Sequence, residues 1–265
     1  MKIIVCVKQV PDTSDIKWTE HNTIQREGVE SVINPFDKYA IETALRLKDK
    51  YNAHISVISM GPPQATEVLR EALALGADEA VLVSDRKFSG ADTIATSRTL
   101  GSAIEKAYGD FDLIICGQFA VDGDTGQTGP SIAQYLGIPQ ITYVKEVVNY
   151  SDNSLTVKKE TEDGIETIKV KLPALLCVEK CDFEPRNIKI GGYIKTQNAE
   201  IQSLSLEDIG IDAESVGMKG SPTYVSKAFR PEGRKKGEVI TPENKQEGAN
   251  FVAEKINAFL GNKEL

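Results

Sequence analysis

The stretch FDLIICGQFAVDGDTGQTGPSIAQYLG (residues 111–137) sets the fold class. It opens on an isoleucine-rich apolar run, passes through a glycine-rich turn and ends in a helix-like stretch closed by Gly137. A buried strand, a turn and a helix in that order make one βα unit. The turn spaces four glycines, at 117, 123, 126 and 129, among Asp122, Asp124, Thr125, Gln127 and Thr128. Glycines let backbone N–H groups approach a ligand, and the helix that follows aims its positive end at an anion. Turn geometry alone would also use glycine, but three hydrogen-bonding side chains beside four flexible positions suit a polar ligand. The two acids would repel a phosphate unless their carboxylates cap backbone N–H groups or face a ribose.

The same unit recurs towards the N-terminus. Lys2–Val7 is a short, continuous, β-branched run of the kind buried on both faces of a parallel sheet. Asn34 and Pro35 supply an N-cap and a first-turn proline, and Tyr39, Ala40, Ala44, Leu45 and Leu47 form an apolar stripe, so a helix runs to about Lys50. HISVISM (54–60) predicts a second strand, and Gly61-Pro62-Pro63 opens a helix closed by Gly76. EAVLVSD (79–85) predicts a third strand and Ala91-Asp92-Thr93 the start of a helix to about Tyr108. FDLIICG is then the fourth strand and ITYVKEVVNY (141–150) the fifth. This alternation implies an α/β fold, a doubly wound, mainly parallel sheet of adenine-nucleotide-binding type with helices on both faces.

Beyond Tyr150 the pattern changes. SLTVKKET and IETIKVKL flank Asp163-Gly164, the signal of an added β-hairpin, and ALLCVEK is a further apolar run suited to the sheet. From about Glu200 the chain is polar and broken by Gly, Pro and Lys, as in KGSPTYVSKAFRPEGRKKGEVITPENK, before an amphipathic stretch with Phe251, Val252, Ile256, Phe259 and Leu260. Such a tail is most simply an extended C-terminal arm that packs on a partner, the other reading being a helix folded back on its own domain. The expected organisation is a nucleotide-binding α/β domain over residues 1–200 and an arm over 201–265.

The 265 residues carry a net charge of −8, which argues against nucleic acid as a partner, since binding it needs a basic face. Of the four cysteines, Cys6 and Cys116 lie inside strand-like runs, where free cysteine packs as a small hydrophobe. Cys177 and Cys181 have no second cysteine pair, and His21 and His54 lie far off in sequence, so no metal site is expected. MKIIVCVKQV has too short an apolar core for a signal peptide, and no run approaches the roughly twenty residues of a membrane span. The expected setting is the cytoplasm. With no G-x-S-x-G elbow and no P-loop, any chemistry would belong to a bound cofactor.

In an open α/β sheet the ligand crevice lies at the carboxyl ends of the strands, where the strand order reverses. With the five strands in the order 3-2-1-4-5, the reversal falls between strands one and four. Lys8-Gln9-Val10-Pro11 and the glycine-rich turn then meet there, with Asn34-Pro35-Phe36 and Met60-Gly61-Pro62 lining the same end.

The run VKLPALLCVEKCDFEPRNIKIGGYIKTQNAEI (170–201) resembles the signature of the electron-transfer flavoprotein β subunit, a V-x-L-P-A strand followed by an N-E-P-R turn and an I-M-K-A segment. CVKQVPD, INPFDKYAIETALRLK, SMGPPQATEVLREALALGADEA and the glycine-rich turn are similar to family blocks in the same order, so the resemblance covers residues 1 to about 201. It implies a subunit without activity of its own, paired with an α subunit that holds a flavin and embraced through the C-terminal arm. In ordinary members the β site holds a structural AMP. In electron-bifurcating members it holds an FAD that takes hydride from NADH and parts the electrons between ferredoxin or flavodoxin and, through the α flavin, a partner flavin dehydrogenase. A nucleotide-sensing protein of the universal stress kind shares this type of sheet but leaves the chain from Leu172 onward without a role.

Ordinary members look more like A-I-D-D-D-C-N-Q-T-G at the turn, whereas Ala120 to Gly129 here resembles the D-G-D-T-x-Q pattern of bifurcating members. Gly123 in place of the middle acid removes a negative charge and opens space beside a diphosphate, so the resemblance implies FAD, with AMP as the alternative. The nucleotide contacts it carries over are Cys6, Val7, Lys8, Asn34, Pro35, Phe36, Met60, Gly61, Phe119, Ala120, Val121, Asp122, Gly123, Asp124, Thr125, Gly126, Gln127, Thr128 and Gly129. Ile190 stands where the family has an anchor leucine for docking the dehydrogenase, with Ile194 and Lys195 beside it. The lysines that follow in many members are reduced here to Lys195, which points away from an ordinary acyl-CoA dehydrogenase and makes one for lactate a candidate.

Overall fold

The apolar runs assemble into one nine-stranded sheet. The computed structural model describes residues 1–12, 31–226 and 237–261, in two units, Met1–Ala228 and Phe229–Leu265. His21 and residues 227–236 of the polar tail lie outside the described residues.

In chain order the first unit contains β1 (Lys2–Cys6), a small antiparallel pair β2 (Gln9–Pro11) and β3 (Ser31–Ile33), α1 (Pro35–Tyr51), β4 (His54–Met60), α2 (Thr66–Leu75) and β5 (Glu79–Val83). There follow α3 (Thr93–Tyr108), β6 (Leu113–Gly117), α4 (Thr128–Leu136), β7 (Gln140–Ser151), β8 (Ser154–Thr161), β9 (Gly164–Lys171) and β10 (Ala174–Val178). The unit closes with α5 (Ile190–Thr196), β11 (Gln202–Leu204) and α6 (Leu206–Ile209). The sheet order is β11-β5-β4-β1-β6-β10-β7-β8-β9, parallel from β11 to β7 and antiparallel through β8 and β9.

Alternate residues of the central strands serve two cores, as a strand's period of two requires. Ile3, Val5, Ile55, Val57, Leu113, Ile115 and Leu176 pack under α1 and α2, while Ile4, Cys6, Ile58, Ile114, Cys116 and Cys177 pack under α3, α4 and α6. Fully buried side chains such as Ile115 each contribute about 1.5–3 kcal/mol. The chain winds outward from β1 through β4 to β5 on one side, then crosses to β6 on the other, so the order reverses between β1 and β6.

Three expectations are corrected. The order 3-2-1-4-5 is interrupted, because β10 inserts between the fourth strand, β6, and the fifth, β7. Every residue of β10 is buried, so it takes a position covered on both faces, whereas β7 is largely exposed along its length and moves outward. The hairpin pairs Thr161 with Gly164, so its turn is Glu162-Asp163, one residue earlier than expected. The domain boundary falls after Ala228 rather than at residue 200, because β11 adds to β5, Leu206 and Ile209 enter the core, and Thr223 bonds Asp92. The second unit contains α7 (Lys245–Gly261), on which Val252, Ile256, Phe259 and Leu260 are exposed.

Candidate functional site

The carboxyl ends of β1 and β6 and the start of α1 meet at the point of reversal, and hydrogen bonds join them. The Asn34 N–H donates to the Lys8 carbonyl (2.9 Å). Its side chain, buried and making no cap bond to its own helix, reaches into the glycine-rich loop instead. There Nδ2 donates to the Phe119 carbonyl (2.9 Å) and Oδ1 accepts from the Val121 N–H (3.1 Å). Phe36 and Phe119 pack with ring centroids 4.2 Å apart. Gln118, also buried, donates its N–H to the Val178 carbonyl (2.8 Å) and accepts from the Tyr143 N–H (2.7 Å), tying the loop root to β10 and β7.

The loop turns on itself at Ala120, whose carbonyl accepts from the N–H groups of Gly123 (3.1 Å) and Asp124 (2.8 Å). Asp122 is neutralised by Lys8, with Nζ 2.6 Å from Oδ1, so the nearer acid no longer opposes an anion at the crevice. The N–H of Gln127 donates to Thr125 Oγ1 (3.4 Å), and Thr93 Oγ1 bonds Gln127 Oε1 (3.3 Å) across to α3. α4 then begins at Thr128 with no side-chain cap on its amides. At Gly129 its first turn lies directly on the sheet, where a Cβ would run into Cys177 Sγ.

Beneath this turn three thiols stand in register on adjacent strands, Cys6 beside Cys116 and Cys116 beside Cys177. All four cysteines are free and buried. A hydrogen bond from Cys6, burial and neighbouring charge push the Cys116 thiol well up, and burial raises Cys177 to about 12 and Cys181 to about 11, so they pack as neutral groups. Cys6, Val7 and Lys8 thus come to the crevice with Asn34, Pro35, Phe36 and the stretch from Phe119 to Gly129. Met60 and Gly61 end the neighbouring strand β4, linked to this edge through the Val7 N–H to the Ile58 carbonyl (2.9 Å) and Gln9 Nε2 to the Gln64 carbonyl (3.4 Å).

The second group of expected residues lies on α5. Ile190 and Ile194 are 81% and 63% exposed, with Tyr193 and Lys195 beside them. Arginines at both ends hold the segment that carries them. Arg186 bonds Glu42 through Nε (2.8 Å) and Asp49 (2.7 Å), and Arg46, itself on Glu42 (3.0 Å), lies 3.9 Å over the Phe183 ring. At the other end Arg70 donates to the carbonyls of Thr196 (3.2 Å), Gln197 (3.2 Å) and Ala199 (2.9 Å). These bonds close the carboxyl end of α5, where a helix leaves its last carbonyls without partners.

The electron transfer flavoprotein domain model matches residues 21–209. The electron transfer flavoprotein subunit beta of Clostridium acetobutylicum is 48% identical, over 97% of this chain and 98% of its own. The chain belongs to the electron transfer flavoprotein family, among its β subunits. The family also includes a relative of 45% identity, the caffeyl-CoA reductase-Etf complex subunit CarD of Acetobacterium woodii, matched over 97% of this chain and 98% of its own. The acryloyl-CoA reductase electron transfer subunit gamma of Anaerotignum propionicum is 39% identical, over 95% of this chain and 97% of its own.

Sequence reading of this β subunit missed Asp37, Gln118 and Arg70. Asp37 and Gln118 are polar residues that look solvated in a linear pattern, and only the convergence of distant segments buries them. Arg70 lies on an apolar-faced helix where a surface arginine is unremarked, and its three acceptors are more than a hundred residues away. A weak signal existed for Asp37, an acid in the first turn after an Asn-Pro start, but that reads equally as a helix-dipole partner.

Proposed function

We propose that this electron transfer flavoprotein β subunit works in the cytoplasm as half of a heterodimer with an α subunit, and that its crevice holds FAD. Bound there, FAD supplies hydride acceptance from NADH and release of the electrons singly, one to ferredoxin or flavodoxin and one through the α-subunit flavin to a flavin dehydrogenase.

The observation that carries this reading is the loop from Phe119 to Gly129. It has a neutralised acid at Asp122, no atom of the described residues within 4 Å of where a Gly123 side chain would stand, and an uncapped helix start behind it. These features fit an adenine dinucleotide. The amides of Thr128 and Gly129 would hold the diphosphate, Lys8 and Asp122 its flank, and Asn34 the loop's position. Cys6, Val7, Met60 and Gly61 would wall the site.

Ile190, Ile194 and Lys195 form the docking face for the dehydrogenase, kept rigid by Arg70 and Arg186. Two relatives are named as subunits of CoA-ester reductases, which favours a CoA-thioester partner over one for lactate. The apolar face of α7 packs on the α subunit.

The test is to co-express the chain with its α subunit, denature the heterodimer and count the released nucleotides by chromatography. Two FAD and no AMP per heterodimer support the reading. One FAD and one AMP make the loop a holder of an inert nucleotide and the subunit a relay that does not split electrons.

A further inference from the structure

Asp37, in the first turn of α1, is 6% exposed. Its Oδ2 accepts from the Lys8 N–H (2.7 Å) and its Oδ1 from Asn34 Nδ2 (3.0 Å), and the Gly117 N–H lies beside the same carboxylate. The closeness to Gly117 is possible because that residue has no side chain, as a Cβ there would strike Asp37 Oδ1 and Phe36. The three donors come from the end of β1, the turn before α1 and the end of β6. Those are the segments that carry the proposed nucleotide contacts. Asn34 passes the constraint onward through its bonds to Phe119 and Val121.

We propose that Asp37 is a positioning residue for the nucleotide, one buried anion that aligns the two strand ends and the loop through the bonds it accepts from Lys8 and Asn34 and its closeness to the Gly117 N–H, and whose protonation releases them. The inference rests on the nucleotide reading of the crevice. A carboxylate is an acceptor at every lone pair, so it suits three converging donors. The neutral acid carries a proton that would point at one of them, and that bond is lost.

The other titratable groups facing Asp37 do not fix its charge. The Lys8 ammonium is turned to Asp122, and the Cys116 thiol on β6 is kept neutral by its surroundings. On α1, Lys38 pairs with Glu71 on α2, and Glu42 is taken by Arg46 and Arg186. Burial raises the Asp37 carboxyl to about 7, the bonds from Asn34, Lys8 and Gly117 pulling the other way, so both forms are within reach of neutral pH. Nucleotide binding that needs the anion weakens as the pH falls through that value.

The test uses the αβ heterodimer stripped of its β-site nucleotide, titrated with FAD and with AMP by calorimetry from pH 6 to pH 8, as wild type and as Asp37→Asn. Wild-type affinity is expected to be constant above pH 7.5 and to fall towards tenfold per pH unit below about 7, the limit for one proton. Asp37→Asn, which places an amide donor where the neutral acid has its hydroxyl, is expected to bind with the low-pH affinity at every pH. A purely structural role would weaken binding without removing its pH dependence. A flat wild-type profile, or a variant that keeps the wild-type profile, overturns the inference, and the wild-type profile decides even if the variant fails to fold. Absence of FAD and AMP binding by wild type at pH 8 overturns the nucleotide reading and this inference with it.

Discussion

Two helices start at the carboxyl edge of the same sheet, and they are finished differently. α3 is closed by Asp92, whose Oδ1 accepts from the N–H groups of Ile94 and Ala95, both at 3.0 Å. Its other oxygen takes the N–H (3.0 Å) and hydroxyl (2.8 Å) of Thr223, and the Asp92 N–H donates to Ser221 Oγ (2.8 Å). α4 has Gln127 at the same position and no side-chain cap. Capping is worth about 0.5–2 kcal/mol, so leaving a start open is a cost that a ligand can offset. Under the nucleotide reading proposed above, the open start of α4 is the one that a ligand would complete.

The most damaging way to break this contrast is Gly117→Ala. The new methyl displaces Asp37 and Phe36, and the overpacking is expected to lower stability by about 1–3 kcal/mol and strip the β-site nucleotide. Thermal denaturation and the released nucleotide count check both. Asp92→Ala, at the closed helix, is expected to cost about 1 kcal/mol and leave the nucleotide count unchanged.

The two aspartates also divide by pH. Asp92 is pulled up by burial, but bonds from Ala95, Thr223 and Ile94 outweigh that and hold its carboxyl below the usual range. Its contribution is present above the ordinary carboxylate pKa and is lost as pH falls through the lowered one. Asp37, raised to about 7, holds a proton that the unfolded chain has released between about pH 4 and 7, so its contribution declines as pH rises across that window. Stability curves of Asp92→Asn and Asp37→Asn measured from pH 3 to 8 should lose these opposite slopes.

Gln127→Asp sharpens the comparison by giving α4 the cap it lacks. The nucleotide-free heterodimer should gain up to about 1 kcal/mol, while nucleotide affinity drops because the carboxylate occupies and repels at the amides. A gain in stability with unchanged affinity would mean that the open start is not the binding edge. The smallest effect on either helix is expected from Ile190→Asp, an exposed change worth within about 0.5 kcal/mol. It should stop electron delivery to the dehydrogenase and leave NADH oxidation with an artificial acceptor intact, and loss of both activities would sink the docking role of α5.

Much of this architecture is legible in the chain, because its signals are local. β-Branched runs, the Asn-Pro start of α1, Asp92 before α3 and the glycines after α2 and α4 each act within a few residues of where they stand. The hairpin turn at Asp152-Asn153, where both residues have φ of 52°, uses residue types that tolerate left-handed backbone.

By itself, then, the sequence determined most of the element types and the position of the polar, glycine-rich loop, since periodicity, capping and turn chemistry are properties of neighbouring residues. Only the tertiary structure decided that β10 enters between β6 and β7, that Lys8 neutralises Asp122, that Asp37 gathers three backbone and side-chain donors, and that Arg70 closes α5. Each of those depends on free energy gained between residues far apart in the chain, where burial on both faces and the pairing of desolvated polar groups select one arrangement among many that local pattern permits.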